Sequence, residues 1–391
     1  MIDRNIESKL LEYASYYPVV TVTGPRQSGK TTLCKKVFPD KRYISLETIA
    51  TRDYAREDPH GFLEEYRQGA ILDEIQQAPQ LLSYLQTDVD ENPVPGRFIL
   101  TGSQHFALSA SIAQSMAGRT GILHLLPLSF DEIRRFPSAP DALLEAMWTG
   151  GYPRILDQQI PPQIWLEDYL TTYVQRDVRQ LLNVGDLSAF VSFVRLCAGR
   201  TGQILNLSTL GADCGISHNT ARAWLSVLET SFLIWRLPAW HTGIRKQIVK
   251  SPKIHFLDSG LVCCLLGIQT PEQLRHHPLR GAIFESWAVS EVVKQRMQAG
   301  MQPRLFHFRD SRGLEVDLVE EDGDQLILTE LKSGQTITGQ FFAPLEKVAS
   351  LILPDPRFSR VQTRVIYGGE EARASASMAV VPWRDIKYRK E

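Results

Sequence analysis

The sequence predicts an α/β protein: a doubly wound parallel sheet, a helical lid, a winged helix-turn-helix and a C-terminal α/β domain. Three observations carry this expectation. The stretch GPRQSGKTT lies between a β-branched run and a helical run near the amino terminus. Short apolar runs alternate with helical stretches across the first 130 residues, the pattern of a parallel sheet with crossover helices. Near the other end, RGLEVDLVEEDGDQLILTELKSG alternates about an Asp322-Gly323 turn, as a β-hairpin does.

The strands expected in the first part are Val19–Thr23, Tyr43–Leu46, Ile71–Asp73, Phe98–Leu100 and Ile122–Leu125. The loop after the first fits G-x-x-x-x-G-K-[ST] through Gly24, Gly29, Lys30 and Thr31, and the helix Thr32–Phe38 follows it. Backbone N–H groups of the loop, which runs through Pro25, Arg26, Gln27 and Ser28 to Thr32, form a cradle for phosphates, with the helix terminus adding its partial positive charge. Lys30 would reach the β and γ phosphates of ATP, and Thr31 would ligand Mg²⁺. The third strand ends in Asp73-Glu74, an acid to hold Mg²⁺ and an acid to polarise water. The fourth ends in polar Thr101, Ser103 and Gln104, where a γ-phosphate sensor would sit.

Composition sets outer limits. At 391 residues the chain exceeds the usual single-domain size. With 43% hydrophobic and 22% charged residues it has the composition of a globular protein. A net charge of −1 gives no global basic field, so any nucleic-acid site must be a local patch. The amino terminus shows no apolar signal core, and runs such as LVCCLLGI are too short to span a bilayer. Five cysteines without a C-x-x-C pair read as reduced, packed thiols. A cytoplasmic location without membrane attachment is expected.

GPRQSGKTT, AILDEIQQAP, FILTGSQ, AGRTGILHLLPLSFDE, GGYPRI and YLTTYVQRDV occur in that order. This succession resembles a large prokaryotic family of AAA-type ATPases with an uncharacterised conserved C-terminal domain. The resemblance covers nearly the whole chain and implies ATP binding, hydrolysis and homo-oligomers. In such proteins an arginine from a neighbouring subunit often stabilises transition-state charge. Arg119 in the AGR motif is the candidate, with Arg176 and Arg179 as rivals on one helix face.

Residues 1–130 form the expected ATPase core, 131–200 the lid, 201–270 the helix-turn-helix and 271–391 the last domain. In the third segment, Leu210, Gly211, Gly215, Ile216, Thr220 and Leu225 fit the helix-turn-helix template, with Ser217 capping the second helix. That helix would present His218, Asn219 and Arg222 to DNA, although Ala221, Ala223 and Trp224 give it a packing character. Arg245, Lys246, Lys250 and Lys253 would contact phosphates from the following hairpin. The partner expected is duplex or branched DNA bound without base specificity; a protein partner is the alternative.

In the last segment, Asp317 lies on the first hairpin strand, and Glu330 and Lys332 share a face of the second. Glu285 sits near the start of a preceding helix. This order resembles the restriction-endonuclease-like nuclease core. The resemblance implies Mg²⁺ held by Asp317, Glu330 and Glu285, with Lys332 acting on the attacking water. Glu315, on the same face as Asp317, complicates the metal set. Six further histidines (His105, His241, His255, His276, His277 and His307) show no ligand spacing.

Overall fold

The computed structural model describes residues 2–103, 115–173, 187–240, 249–352, 357–375 and 378–387. Gln104, His105, Arg176, Arg179, His241, Arg245 and Lys246 lie outside the described residues. The chain divides into two compact units, residues 1–128 with 230–232 and 296–301, and the remainder.

The first unit contains α1 (Glu7–Tyr16), β1 (Val19–Gly24), α2 (Lys30–Val37), β2 (Arg42–Ser45), α3 (Ile49–Glu57), α4 (Pro59–Glu65) and β3 (Ala70–Asp73). It continues with α5 (Leu81–Glu91), β4 (Phe98–Ser103) and β5 (Thr120–His124). The sheet order is β2-β3-β4-β1-β5, and every pairing is parallel. Its central strands are apolar without alternation because both faces are covered. Leu72 and Leu100 pack on one side with Phe62 and Leu82, while Ile71 and Ile99 pack on the other with Leu10 and Leu33. Each such buried side chain contributes about 1.5–3 kcal/mol. Parallel register brings the carboxyl ends of β1, β3 and β4 to one edge, where ligands of open α/β sheets bind.

The second unit opens with α6 (Phe130–Ile133), α7 (Leu143–Thr149), α8 (Pro153–Asp157), α9 (Pro162–Tyr173) and α10 (Leu187–Ala198). A capping box of Ser129 and Glu132 starts α6. Trp165, Tyr169 and Tyr173 form an aromatic run along α9, and Tyr152, before α8, packs against the first two. Next come β6 (Gln203–Ile204), α11 (Leu207–Asp213), α12 (His218–Thr230), β7 (Ile234–Leu237) and β8 (Lys253–Phe256). The three strands form an antiparallel sheet in the order β6-β8-β7, so β8 is central.

After α13 (Ser259–Leu265) and α14 (Pro271–His276), the long α15 (Arg280–Gln298) leads into β9 (Leu305–Arg309), β10 (Glu315–Asp322) and β11 (Gln325–Lys332). Then come α16 (Ala343–Ile352), β12 (Arg360–Tyr367), β13 (Arg373–Ala374) and β14 (Met378–Pro382). The sheet order is β13-β14-β12-β11-β10-β9; β9 to β11 are antiparallel, whereas β12 runs parallel to β11. The hairpin register pairs Asp322 with Gln325, so the turn residues are Gly323 and Asp324, one position later than expected. Leu345 and Val348 of α16 cover Leu326, Leu328 and Val365.

Four of the five cysteines are buried, and all five are free thiols. Among the described residues no helix is long and apolar enough to cross a membrane.

Candidate functional site

The glycine-rich loop joins β1 to α2. A Cβ on Gly24 would lie 2.1 Å from the Leu125 carbonyl oxygen, so the close approach of two chain segments requires glycine. Gly29 begins α2 at φ 92°, a left-handed conformation that a β-carbon would strain. Lys30 is buried; its Nζ donates to the carbonyls of Gly24 at 3.1 Å and Pro25 at 2.8 Å. Burial pushes its ammonium down to about 8, opposed by Glu74 and Asp73.

Asp73, at the end of β3, receives three hydroxyls. Thr31 Oγ1 donates to it at 3.0 Å, Tyr43 donates to Oδ2 at 2.7 Å, and Thr101 donates to Oδ1. Glu74 adopts left-handed backbone (φ 58°, ψ 49°), which is strained for a non-glycine residue. Burial pushes the Glu74 carboxyl up, only partly offset by Lys30 and Arg26, and Gln76 donates to it. Ser103 ends β4 directly opposite Gly24. Among the described residues the buried hydroxyls of Ser28 and Ser103 have no hydrogen-bond partner.

These groups fit a nucleotide with Mg²⁺. Two orphaned buried hydroxyls flank the loop, and Thr31 with Asp73 supplies hard oxygen ligands. The residues that would hold the phosphates are Gly24 to Thr32, with Lys30; those that would hold the metal are Thr31 and Asp73.

Two residues of this site, Arg4 and Tyr43, escaped sequence reasoning. Arg4 donates to the carbonyls of Ser28 at 2.8 Å and Leu126 at 2.9 Å, strapping the loop to the segment after β5. The hydroxyls of Tyr43 and Thr101 converge on Asp73. Only Thr101 carried a signal, its place at the end of an apolar strand. Arg119 stands just before β5, where its carbonyl accepts from Val19 N–H at the start of β1. That is the sheet edge opposite Gly24, so Arg119 is remote from the loop of the same chain. Its guanidinium pairs with Asp90 at 2.6 and 2.7 Å.

In the second unit, α11 and α12 join through a turn containing Gly215, and Ser217 Oγ accepts from Thr220 N–H at 3.1 Å as the expected cap. His218, Asn219 and Arg222 are exposed, as is Lys250. Ala221 and Trp224 are buried, Trp224 packing edge-on against Phe190 and Phe193, but Ala223 is exposed. Lys253 corrects the expected phosphate-contacting hairpin. It is 3% exposed on the central strand β8 and cannot face a nucleic acid.

Its ammonium instead enters the carboxylates of the last domain. Lys253 Nζ lies 2.8 Å from Glu285, 2.7 Å from Glu315 and 3.6 Å from Asp317. A register shift between Val316 and Val319 re-aims β10 at this point. Asp317 Oδ2 accepts from Leu331 N–H at 2.9 Å, and Glu330 pairs with Lys332 at 2.5 Å. Glu285, Asp317, Glu330 and Lys332 are thus brought together as expected, with Glu315 and Lys253 added. Burial and the Asp317 charge push Glu285 up to about 8, against the pull of Lys253; the same two causes push Glu330 up to about 7. Lys253 moves upward too: burial acts against its charge, but Glu285, Asp317 and Glu315 outweigh it.

A phosphate loop on a five-stranded parallel sheet, with an acid pair two strands away, defines a P-loop domain, and residues 16–134 match the family described as AAA domain. Residues 140–272 match a Domain of unknown function (DUF8612), and 280–386 match another, DUF4143. An uncharacterized protein of Mycobacterium tuberculosis is 29% identical over 81% of this chain and 71% of its own length. One of Haemophilus influenzae is 21% identical over 67% of this chain and 72% of its own. Among solved structures, the Walker-type ATPase PABY2304 of Pyrococcus abyssi is 15% identical, covering 68% of this chain and 96% of that one, with a TM-score of 0.43. A single-substitution variant of RuvB from Thermotoga maritima is 21% identical, covering 61% and 90%, with a TM-score of 0.32.

Proposed function

We propose that the protein binds and hydrolyses ATP with Mg²⁺, acts as a homo-oligomer, and couples turnover to binding or remodelling duplex or branched DNA. The observation that carries the ATPase reading is the convergence of Lys30, Thr31, Asp73 and Glu74 at the carboxyl edge of one sheet. Lys30 holds the phosphates, Thr31 and Asp73 hold the metal that shields their charge, and Glu74 takes the proton of the attacking water. Ser103 senses the γ-phosphate. Arg119, remote from its own loop, serves the site of a neighbouring subunit.

DNA engagement has support from the order β6-α11-α12-β7-β8, which is that of a winged helix, and from exposed His218, Asn219, Arg222 and Lys250. The order α15-β9-β10-β11-α16-β12 supports a nuclease-like last domain. One observation favours a second reading, in which ATP is a switch and a catalytically silent last domain docks a protein partner. That observation is the buried Lys253 among the acids required for cutting.

The deciding experiment is steady-state ATP hydrolysis with Mg²⁺, alone and with single-stranded, duplex and four-way-junction DNA at fixed low salt. Stimulation by DNA, lost in Lys30→Ala and weakening steeply with salt, is expected. A rate indifferent to every DNA would transfer support to the switch. Mixing Arg119→Ala with Lys30→Ala subunits tests the arginine: each is inactive alone, and partial activity should return on mixing. No recovery would mean that Arg119 does not act across subunits.

A further inference from the structure

The carboxylates of the last domain have an occupant supplied by the chain itself. Glu285 comes from α15, Glu315 and Asp317 from β10, and Glu330 from β11, while the cation that pairs with the first three comes from β8 of a different sheet. Lys253 is flanked on both sides by paired strands, opposite Ile204 of β6 and Leu237 of β7. Its backbone is therefore fixed, which tethers the ammonium within one side-chain length of these acids. Two residues on, His255 presents the same strand face. Its Nδ1 meets Ser286 Oγ at 3.0 Å. Its fully buried Nε2 has no hydrogen-bond partner among the described residues and lies 4.0 Å from Glu285 Oε1, the oxygen that Lys253 holds. A buried imidazole nitrogen beside a carboxylate adds a neutral donor of the kind a divalent cation accepts.

We propose that Lys253 is a tethered cation that shuts a latent divalent-metal site formed by Glu285, Asp317 and Glu330 with His255 beside them, so that ammonium and metal are mutually exclusive occupants. The argument is steric and electrostatic. A Mg²⁺ or Mn²⁺ ion bound to Glu285 must sit about 2.1 Å from its oxygen. The ammonium already lies 2.8 Å from that oxygen and 3.6 Å from Asp317, in the space the metal would enter. Two cations cannot share that space. Among the described residues no group of three His, Cys, Asp or Glu side chains stands where it could hold a metal ion, so these acids must also close in once the ammonium is gone. The ion pairs of Lys253 with Glu285, Glu315 and Asp317 hold them apart from that arrangement. This inference does not depend on the ATPase reading.

The test uses Mn²⁺ as the probe, in the full chain without nucleotide, with bound Mn²⁺ counted by electron paramagnetic resonance. Wild type and Asp317→Asn should bind equally, because the wild-type cluster is closed. Lys253→Met combined with Glu315→Gln removes one charge of each sign, which preserves charge balance, and should gain one Mn²⁺ per chain. Adding Asp317→Asn to that pair should abolish the gain. A folded double variant that gains no Mn²⁺ would overturn the proposal. So would wild-type binding that disappears in Asp317→Asn, and this comparison needs only the native lysine. Because nucleotide is absent, failure here leaves the hydrolysis reading untouched, and failure of hydrolysis leaves this one untouched.

Discussion

Asp73 and Asp317 are both buried acids at strand positions, and their partners differ in kind. Asp73 receives neutral hydroxyls from Thr31, Tyr43 and Thr101, whereas Asp317 lies beside the ammonium of Lys253 and receives the Leu331 N–H. Hydroxyls can rotate, and one of them can become a metal ligand beside the acid. An ammonium carries its own charge and must leave before a metal enters. One site is therefore poised for exchange, and the other is already neutralised. Similar acids on similar strands take opposite roles according to what the rest of the chain brings to them.

The largest expected effect lies at the exchangeable site. Lys30→Ala should abolish ATP binding, measured by titration with a fluorescent nucleotide. Glu74→Gln should retain binding but lower phosphate release about 10²- to 10⁴-fold, the usual contribution of a positioned base. Normal turnover in Glu74→Gln would remove that residue from the role. At the closed site the large effect is on stability. Lys253→Met alone strands three acids without their ammonium and should cost about 3–5 kcal/mol by urea unfolding, as breaking buried pairs does.

A pH dependence follows from the same cluster. Folded Glu285 and Glu330 release protons only near 8 and 7, whereas in the unfolded chain they do so near 4.5. The folded state therefore binds more protons across that interval, and its stability falls as pH rises from about 4.5 to about 8. Glu285→Gln should flatten this slope in urea midpoints taken at successive pH values. The smallest effect is expected from Tyr43→Phe, which deletes one of three hydroxyls on Asp73 and should cost about 1 kcal/mol. Its turnover should stay within a few-fold of wild type.

The sequence carried the exchangeable site well because its signal is contiguous. Gly24 to Thr32 sit in one loop, Asp73-Glu74 end an apolar run, and short apolar runs supplied all five strands of the parallel sheet. Glu285, Asp317, Glu330 and Lys332 were also legible, from helix and hairpin periodicity. Lys253 was not. It stands in a stretch rich in Lys and Arg, where lysine is ordinarily solvated, and nothing local marks it as buried. Its partners come from a helix and a different sheet, so only the fold brings them together. Arg4 was missed for the same reason: it contacts the loop across 24 residues and the segment after β5 across 122.

The position of Lys253 also bears on how the chain can be divided. A fragment beginning at residue 271 would retain the whole six-stranded sheet, with α15 and its Glu285, yet lack β8. It would keep Lys332 beside Glu330 and Arg309 beside Glu315 but lose the buried ammonium that pairs with Glu285, Glu315 and Asp317. The last domain is therefore separable in sequence but not in electrostatics, and a cut placed before Lys253 would preserve what a cut placed after it would lose.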